Sequence, residues 1–239
     1  MKPQTSNFKP QNYFVTGTDT GVGKTLVTAL LALHFQSQGV DAGVMKPFAT
    51  GCRSEDGVLV SDDAELLRDV TGVKDELELI NPARWEEPLA PLVAARRAGD
   101  TEDHWSRCMT AYKVLCARHE VVIVEGVGGV LVPLQERDGK ILTCLDLMST
   151  LALPVIVVAR RTLGTINHTL LTVEVLRNAN LEIAGVVFCD AEEIAAGDIA
   201  AQTSTQVIAK MSGAAILGCM PHLREISRAS LKAAAAEIF

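Results

Sequence analysis

A short apolar run, Tyr13-Phe14-Val15, leads into Gly17-Thr-Asp-Thr-Gly-Val-Gly-Lys-Thr25 and then into an apolar-periodic segment from Leu26 to Phe35. Strand, glycine-bearing loop and helix in that order form the setting of a phosphate-binding loop. Unpaired backbone N–H groups at a helix N-terminus, together with the helix dipole, favour an anion there. Lys24 is placed to reach the β- and γ-phosphates of a nucleotide, and the Thr25 hydroxyl to ligate Mg²⁺. The spacing departs from the usual motif by one residue: the first glycine is expected at Thr18 and stands at Gly17.

Such a loop needs a sheet behind it, and the composition supplies one. Hydrophobic residues make up 48% of the 239 positions but aromatics only 4%, so the core is built of Ala, Val, Leu and Ile. That mix suits parallel strands covered by helices on both faces. The balance of 22 basic against 29 acidic residues, with no basic run, gives no support for nucleic acid or an anionic membrane as partner. The first ten residues lack the apolar stretch of a secretory leader, and no apolar run is long enough to span a membrane. The six cysteines (Cys52, Cys108, Cys116, Cys144, Cys189 and Cys219) show no paired spacing. Free thiols in a reducing cytoplasm are expected, without structural zinc.

Taken in order, the chain alternates strands and helices. Residues 1–11 read as a loose arm. Strands are expected at Asn12 to Thr16, Asp41 to Met45, Val121 to Val124, Pro154 to Ala159, Ile183 to Cys189 and Ala215 to Cys219. Helices are expected at Lys24 to Gln38, after a Ser61 cap, over Thr101 to His119, Leu145 to Thr150, Gly164 to Asn178 and Asp198 to Met211, with an Ala-rich helix at the end. Gly51 to Gly57 reads as a loop, Asn81 to Pro91 as irregular, and the stretch through Gly139 as a charged turn. With no linker to divide it, residues 12–239 are expected to form one doubly wound α/β domain with a mostly parallel sheet.

Open sheets of this kind bind ligands at the C-terminal ends of their strands. Lys46 follows the second strand. Glu125 follows Val121-Val122-Ile123-Val124 at once, beside Gly126, Gly128 and Gly129, which would let backbone approach a ligand. Asp62 and Asp63 both fall in the first turn after Ser61; Asp62 is read as a helix-dipole residue. Thr25, Asp63 and Glu125 form the sparse oxygen set that Mg²⁺ takes when phosphates complete its shell. A second lysine near the γ-phosphate would neutralise charge in phosphoryl transfer. The residues alone therefore indicate an ATP-dependent enzyme.

Longer stretches narrow this further. Gly17 to Thr25, Met45-Lys-Pro-Phe-Ala-Thr-Gly51, Asp63-Ala64, Asn81-Pro82, Glu87-Pro88, Val124-Glu-Gly-Val-Gly-Gly129, Leu153 to Val158, Leu163-Gly-Thr-Ile-Asn-His168 and Leu217-Gly-Cys-Met-Pro221 strongly resemble the dethiobiotin synthetase family. They span nearly the whole chain. The resemblance implies a homodimeric, Mg²⁺-dependent enzyme of biotin biosynthesis, taking 7,8-diaminononanoate, CO₂ or bicarbonate and ATP to dethiobiotin, ADP and phosphate. It implies ATP-phosphate contacts from Thr20, Gly21, Val22, Gly23, Lys24, Thr25 and Leu26, and a catalytic role for Lys46. It also implies a substrate hydrogen bond from Thr50 and metal ligation by Thr25, Asp63 and Glu125. Gly126, Val127 and Gly128 would line the site. Gly164, Thr165, Ile166 and Asn167 would capture the substrate carboxylate from the partner subunit, and Asp190, Pro221, His222 and Leu223 would lie along the base.

Two departures from the family pattern stand out. Many relatives carry Glu where this chain has Gly21. Where relatives read adenine with an Asn amide, this chain has Cys189, and a thiol cannot both donate and accept as an amide does. Weaker discrimination of ATP from other nucleoside triphosphates is expected. The alternatives are a ParA/MinD-like ATPase switch, a cobyrinate-type synthetase domain and a non-catalytic nucleotide-binding scaffold. The first uses a lysine early in the loop, where this chain has Asp19, and the second carries a glutaminase domain for which no room is expected after residue 223.

Overall fold

In a computed structural model, residues 8–190, 192–195 and 197–239 are described. Residues 1–7 of the expected arm lie outside them. Phe8, within the arm's expected range, packs its ring against Tyr13 and Phe239, with centroids 5.2 and 5.1 Å apart.

The apolar run before the phosphate loop is β1 (Tyr13–Gly17), followed by α1 (Lys24–Ser37), β2 (Ala42–Met45) and the short β3 (Phe48–Thr50). Next come β4 (Arg53–Glu55), β5 (Val58–Val60), α2 (Asp62–Thr71), α3 (Leu77–Ile80), β6 (Ala83–Trp85), α4 (Pro91–Ala98) and α5 (His104–Arg118). The chain continues through β7 (Val121–Gly129), β8 (Pro133–Arg137), β9 (Lys140–Thr143), α6 (Cys144–Leu151) and β10 (Val155–Ala159). It ends with α7 (Thr165–Asn178), β11 (Ile183–Cys189), α8 (Ile199–Ser212), β12 (Ile216–Met220) and α9 (Arg228–Ile238).

Six strands form one sheet in the order β12-β11-β10-β1-β7-β2, every neighbouring pair parallel. Their side chains alternate between two cores, as the two-residue period of a strand requires. Val15, Val121, Ile123, Ile156 and Val158 face α1, α2 and α9. Phe14, Val122, Val124, Val155 and Val157 face α5, α6, α7 and α8. From β1 the chain crosses to β2 at one edge and later fills both sides of β1 with β7 and β10. The sheet thus switches direction at β1, and the loop above it sits where such sheets hold ligands.

Local chemistry accounts for several boundaries. The Ser61 hydroxyl accepts from the Ala64 N–H to start α2, a cap worth about 1 kcal/mol. Thr143 and Asp146 form a reciprocal capping box on α6. Three stretches differ from expectation. Gly51 to Gly57 is no simple loop: β4 pairs antiparallel with β5. Within the supposedly irregular Asn81 to Pro91, β6 pairs in parallel with β3. The charged turn through Gly139 is the tip of a β8–β9 hairpin. All are two-stranded ribbons, too short to show strand periodicity in sequence.

Candidate active site

Lys46 is presented by the turn between β2 and β3, and its backbone is clamped from both sides. Its N–H donates to the Ile80 carbonyl at 2.7 Å. Its own carbonyl accepts from Asn81 Nδ2 at 2.6 Å. The β3–β6 pairing locks the chain beyond it. These supports hold an ammonium that is only 4% exposed.

That ammonium lies between two carboxylates. Lys46 Nζ donates to Glu125 Oε1 at 2.7 Å and also to Asp63 Oδ2. Glu125 is itself 1% exposed, whereas the Asp63 side chain is half-exposed. The Thr25 hydroxyl donates to the same Glu125 oxygen at 2.9 Å. Thr25, Lys46, Asp63 and Glu125, picked from four separate stretches of sequence, therefore form one hydrogen-bonded cluster.

The electrostatics follow from burial set against pairing. Burial alone would lower the Lys46 ammonium, but Glu125 and Asp63 outweigh it and leave its pKa raised. Lys46 is therefore a fixed cation. Burial raises Asp63 too, yet the Lys46 charge and the hydrogen bonds from Lys46 and Thr25 bring it below the ordinary carboxylate value. Glu125 is raised: burial dominates, Lys46 opposes, and Asp63 adds repulsion. Lys24 is lowered, mainly by burial with Lys46 adding, while Glu125 opposes. An anion laid over the loop would reverse that shift.

The loop is shaped by its own close contacts. Lys24 Nζ donates back to the Asp19 carbonyl at 2.8 Å, curling the loop beneath its side chain. Gly23 caps α1 at φ 95°, and a Cβ there would fall 2.3 Å from Cys189 Sγ. At Gly17 a Cβ would meet Val22 Cγ2 at 2.7 Å, so the curled loop requires a glycine at that place. Thr20 is exposed and Val22 buried, with Leu26 partly buried in the first turn of α1.

β7 does not stop at Val124 as expected. It runs on to Gly129, and its register against β1 jumps from Val15↔Glu125 to Gly17↔Gly129. This irregularity bows Gly126, Val127 and Gly128 out beside the phosphate loop. At Gly126 the missing side chain makes room for Phe14 and Cys144, whose atoms lie 2.9 and 3.0 Å from a built Cβ. Packing against those two side chains therefore requires a glycine there.

Other expected residues lie further off. Thr50 ends β3, its backbone in register with Trp85. Gly164 caps α7 and Thr165, Ile166 and Asn167 open it; of these Thr165 borders a cavity of about 110 Å³ that Thr18, Asp19, Val22 and Arg160 also line. No hydrogen bond among the described residues joins them to the Lys46 cluster. Cys189 is fully buried: its thiol faces Met220 Sδ at 3.9 Å and lies under Gly23. Gly23 covers the thiol on the side of the phosphate loop. Asp190 is buried and paired with both the Nε and Nη2 of Arg161. Pro221, His222 and Leu223 follow β12, Leu223 packed on the core. Cys189, Asp190 and Arg161 border a second cavity, about 130 Å³. Sequence reasoning passed over Arg160 and Arg161, although they follow strand β10 as Lys46 follows β2.

Among the described residues no helix is long and apolar enough to cross a membrane. No group of three His, Cys, Asp or Glu side chains among the described residues could hold a metal by itself.

A family model described as an AAA domain matches residues 11–230. The chain is 42% identical to the ATP-dependent dethiobiotin synthetase BioD of Thermodesulfovibrio yellowstonii, over 90% of each chain. It is 37% identical to that of Bacillus velezensis, over 93% of this chain and 91% of the other. It is 33% identical to that of Nitrosopumilus maritimus, over 92% and 93%. The chain belongs to the dethiobiotin synthetase family. The synthetase fold is shared more widely. MinD in the MinC:MinD cell division complex of Aquifex aeolicus lies within a solved structure aligned at TM-score 0.52 and 13% identity, over 94% of this chain and 86% of the other. A ParA family ATPase of Chlorobium tepidum gives 0.51 and 12%, over 95% and 90%. At such identities these two share the fold alone with this synthetase-family chain, and the switch reading gains nothing from them.

Proposed function

We propose that the chain is an ATP-dependent dethiobiotin synthetase that carboxylates and closes 7,8-diaminononanoate with CO₂. The observation that carries this reading is the Lys46 ammonium buried between Asp63 and Glu125, with Thr25 hydrogen-bonded to the same glutamate. A partitioning-type switch takes its second lysine from the start of the phosphate loop, where this chain has Asp19; here the second cation is Lys46, held outside the loop, which suits an enzyme that moves a phosphoryl group onto a bound anion.

One amine of the substrate captures CO₂ as a carbamate, a poor acylating agent. Lys46 holds the carbamate oxygen against the terminal phosphate and offsets the charge that collects between them. Lys24 and the N–H groups of Thr20 to Leu26 hold the phosphates. Transfer converts the carbamate oxygen into a phosphate leaving group. The second amine attacks the carbonyl, a five-membered urea closes, and the C–O bond breaks with the oxygen leaving on phosphate. Much of the acceleration of ring closure comes from holding amine and carbonyl together. Thr50 orients the diamine, and the α7 N-terminus at Gly164 to Asn167 receives the carboxylate of a substrate bound to the partner protomer of a homodimer.

The residues present suit Mg²⁺. Glu125 Oε2 is buried with no hydrogen-bond partner among the described residues, and Thr25 and Asp63 offer further oxygen donors beside it. A hard cation that takes few protein oxygens would satisfy that atom. When bound, the ion supplies charge neutralisation on the phosphates. The described cysteines are unbridged, which accords with a cytoplasmic setting.

The test is an incubation with the diamine, ATP, Mg²⁺ and ¹³C-labelled bicarbonate, read by mass spectrometry. Dethiobiotin carrying the label is the expected product. ADP formation without any labelled urea would sink the proposal.

A further inference from the structure

Two consecutive arginines leave β10, and they are treated differently. The guanidinium of Arg161 is engaged by the buried Asp190. Arg160 pairs with no carboxylate among the described residues. Its Nη2 instead donates to the backbone carbonyl of Thr20, inside the phosphate loop, at 2.9 Å. The nearest acidic side chain of that loop, Asp19, is turned to the Thr20 N–H at 2.7 Å. The backbone of Arg160 is held in turn, because the Thr165 hydroxyl donates to its carbonyl.

Gly21 leaves open space for this contact. A Cβ at position 21 would lie 3.2 Å from Arg160 Nη2, tighter than ordinary van der Waals contact, and the residue sits at φ 70°, where side chains are disfavoured. Gly21 and Arg160 therefore form a matched pair. The absent side chain leaves space, and the guanidinium fills it. Arg160 also borders both cavities that flank the loop.

We propose that Arg160 is a positioning residue for nucleotide binding, which latches the phosphate loop through the Thr20 carbonyl in the space opened by Gly21 and keeps an unneutralised guanidinium beside the phosphates. A guanidinium offers five N–H donors, and Thr20 uses one. The latch fixes the loop with its N–H groups set for an anion, so less ordering remains to be done when nucleotide binds. A bare cation beside that loop has a triphosphate as its natural counter-charge.

This inference rests on the loop being a nucleotide site, not on the identity of the second substrate. Calorimetric titration with ADP and a non-hydrolysable ATP analogue, without diamine, therefore tests it. Arg160→Ala should weaken the triphosphate analogue about tenfold, which is about 1.4 kcal/mol, with the melting temperature of the free protein little changed. Arg160→Lys should recover part of the loss, and millimolar guanidinium should restore binding to the alanine variant. An Arg160→Ala protein that binds within about twofold of the unaltered chain would overturn the proposal. So would a loss that neither lysine nor guanidinium repairs, since that marks a merely structural role. If the diamine assay failed while these shifts held, the latch would stand and only the choice of substrate would fall.

Discussion

Replacing Lys46 with methionine should expose how the site is held together. The new side chain fills a similar volume but leaves Glu125, 1% exposed, without its cation. Removing one partner of a buried ion pair costs about 3–5 kcal/mol. The lower figure applies here. Asp63 has a half-exposed side chain and can turn to water, so only the Glu125 half of the penalty is felt. About 3 kcal/mol in a domain of this size lowers Tm by roughly 6–12 °C. The deficit must also depend on pH. Glu125 has a folded-state pKa raised by burial, and losing Lys46 raises it further. A raised carboxylate stabilises the fold while protonated, below its unfolded value, and that contribution disappears as pH rises through the folded value. The gap between Lys46→Met and the unaltered protein should therefore narrow towards pH 5 and widen towards pH 8. Adding Glu125→Gln removes the stranded charge and should recover most of the loss. The assay is thermal unfolding of the nucleotide-free proteins at both pH values. If the double variant melts no higher than Lys46→Met at pH 8, Glu125 is not the buried charge that Lys46 compensates.

Three further outcomes follow from other contacts. His119 is gripped by Asp75 Oδ2 at 2.7 Å and Asp41 Oδ1 at 3.0 Å, and these carboxylates outweigh burial to raise its pKa. Its stabilisation is present below about pH 6.5 and fades as pH rises through the raised folded value. His119→Gln should thus lower Tm clearly at pH 6 and much less at pH 9; a pH-independent loss would contradict the pairing. Asn81→Ala strips the donor from the Lys46 carbonyl, at about 1–3 kcal/mol for a buried acceptor left unmade. It should lower kcat along with Tm, and unchanged turnover would show that the Lys46 backbone needs no such clamp. Cys189→Asn finds no room beneath Gly23, so its amide should turn towards the neighbouring cavity and sharpen the preference for ATP over GTP. Equal preference in the two proteins, assayed side by side, would refute that.

The parts of this molecule legible in sequence are those whose signal is local. Val121 to Val124 reads as a strand because both its faces are buried, and Ser61 as a helix cap because its hydroxyl acts within its own turn. The loop from Gly17 to Thr25 carries its meaning in its spacing, and Lys46 and Glu125 were conspicuous as charges ending apolar strands. What stayed hidden depends on distant partners. β3 and β6 are three residues each and hold only by pairing across more than thirty positions. Arg53-Ser54-Glu55 is wholly exposed, with no apolar face to betray a strand. The extension of β7 through Gly126 to Gly129 needs the loop beside β1 to pair with. Arg160 carries no motif; its meaning lies in the empty place at Gly21, visible only once β10 stands beside β1.

We propose that Lys46 acts on the reacting groups rather than merely on the nucleotide. ADP release, followed with and without the diamine in the unaltered protein and in Lys46→Ala, tests it most directly, with nucleotide affinity measured on the same samples. Strong stimulation by the diamine is expected in the first protein, and its collapse in the variant although ADP still binds. A slow ATPase indifferent to the diamine, or a variant that keeps near-normal stimulation, would contradict it.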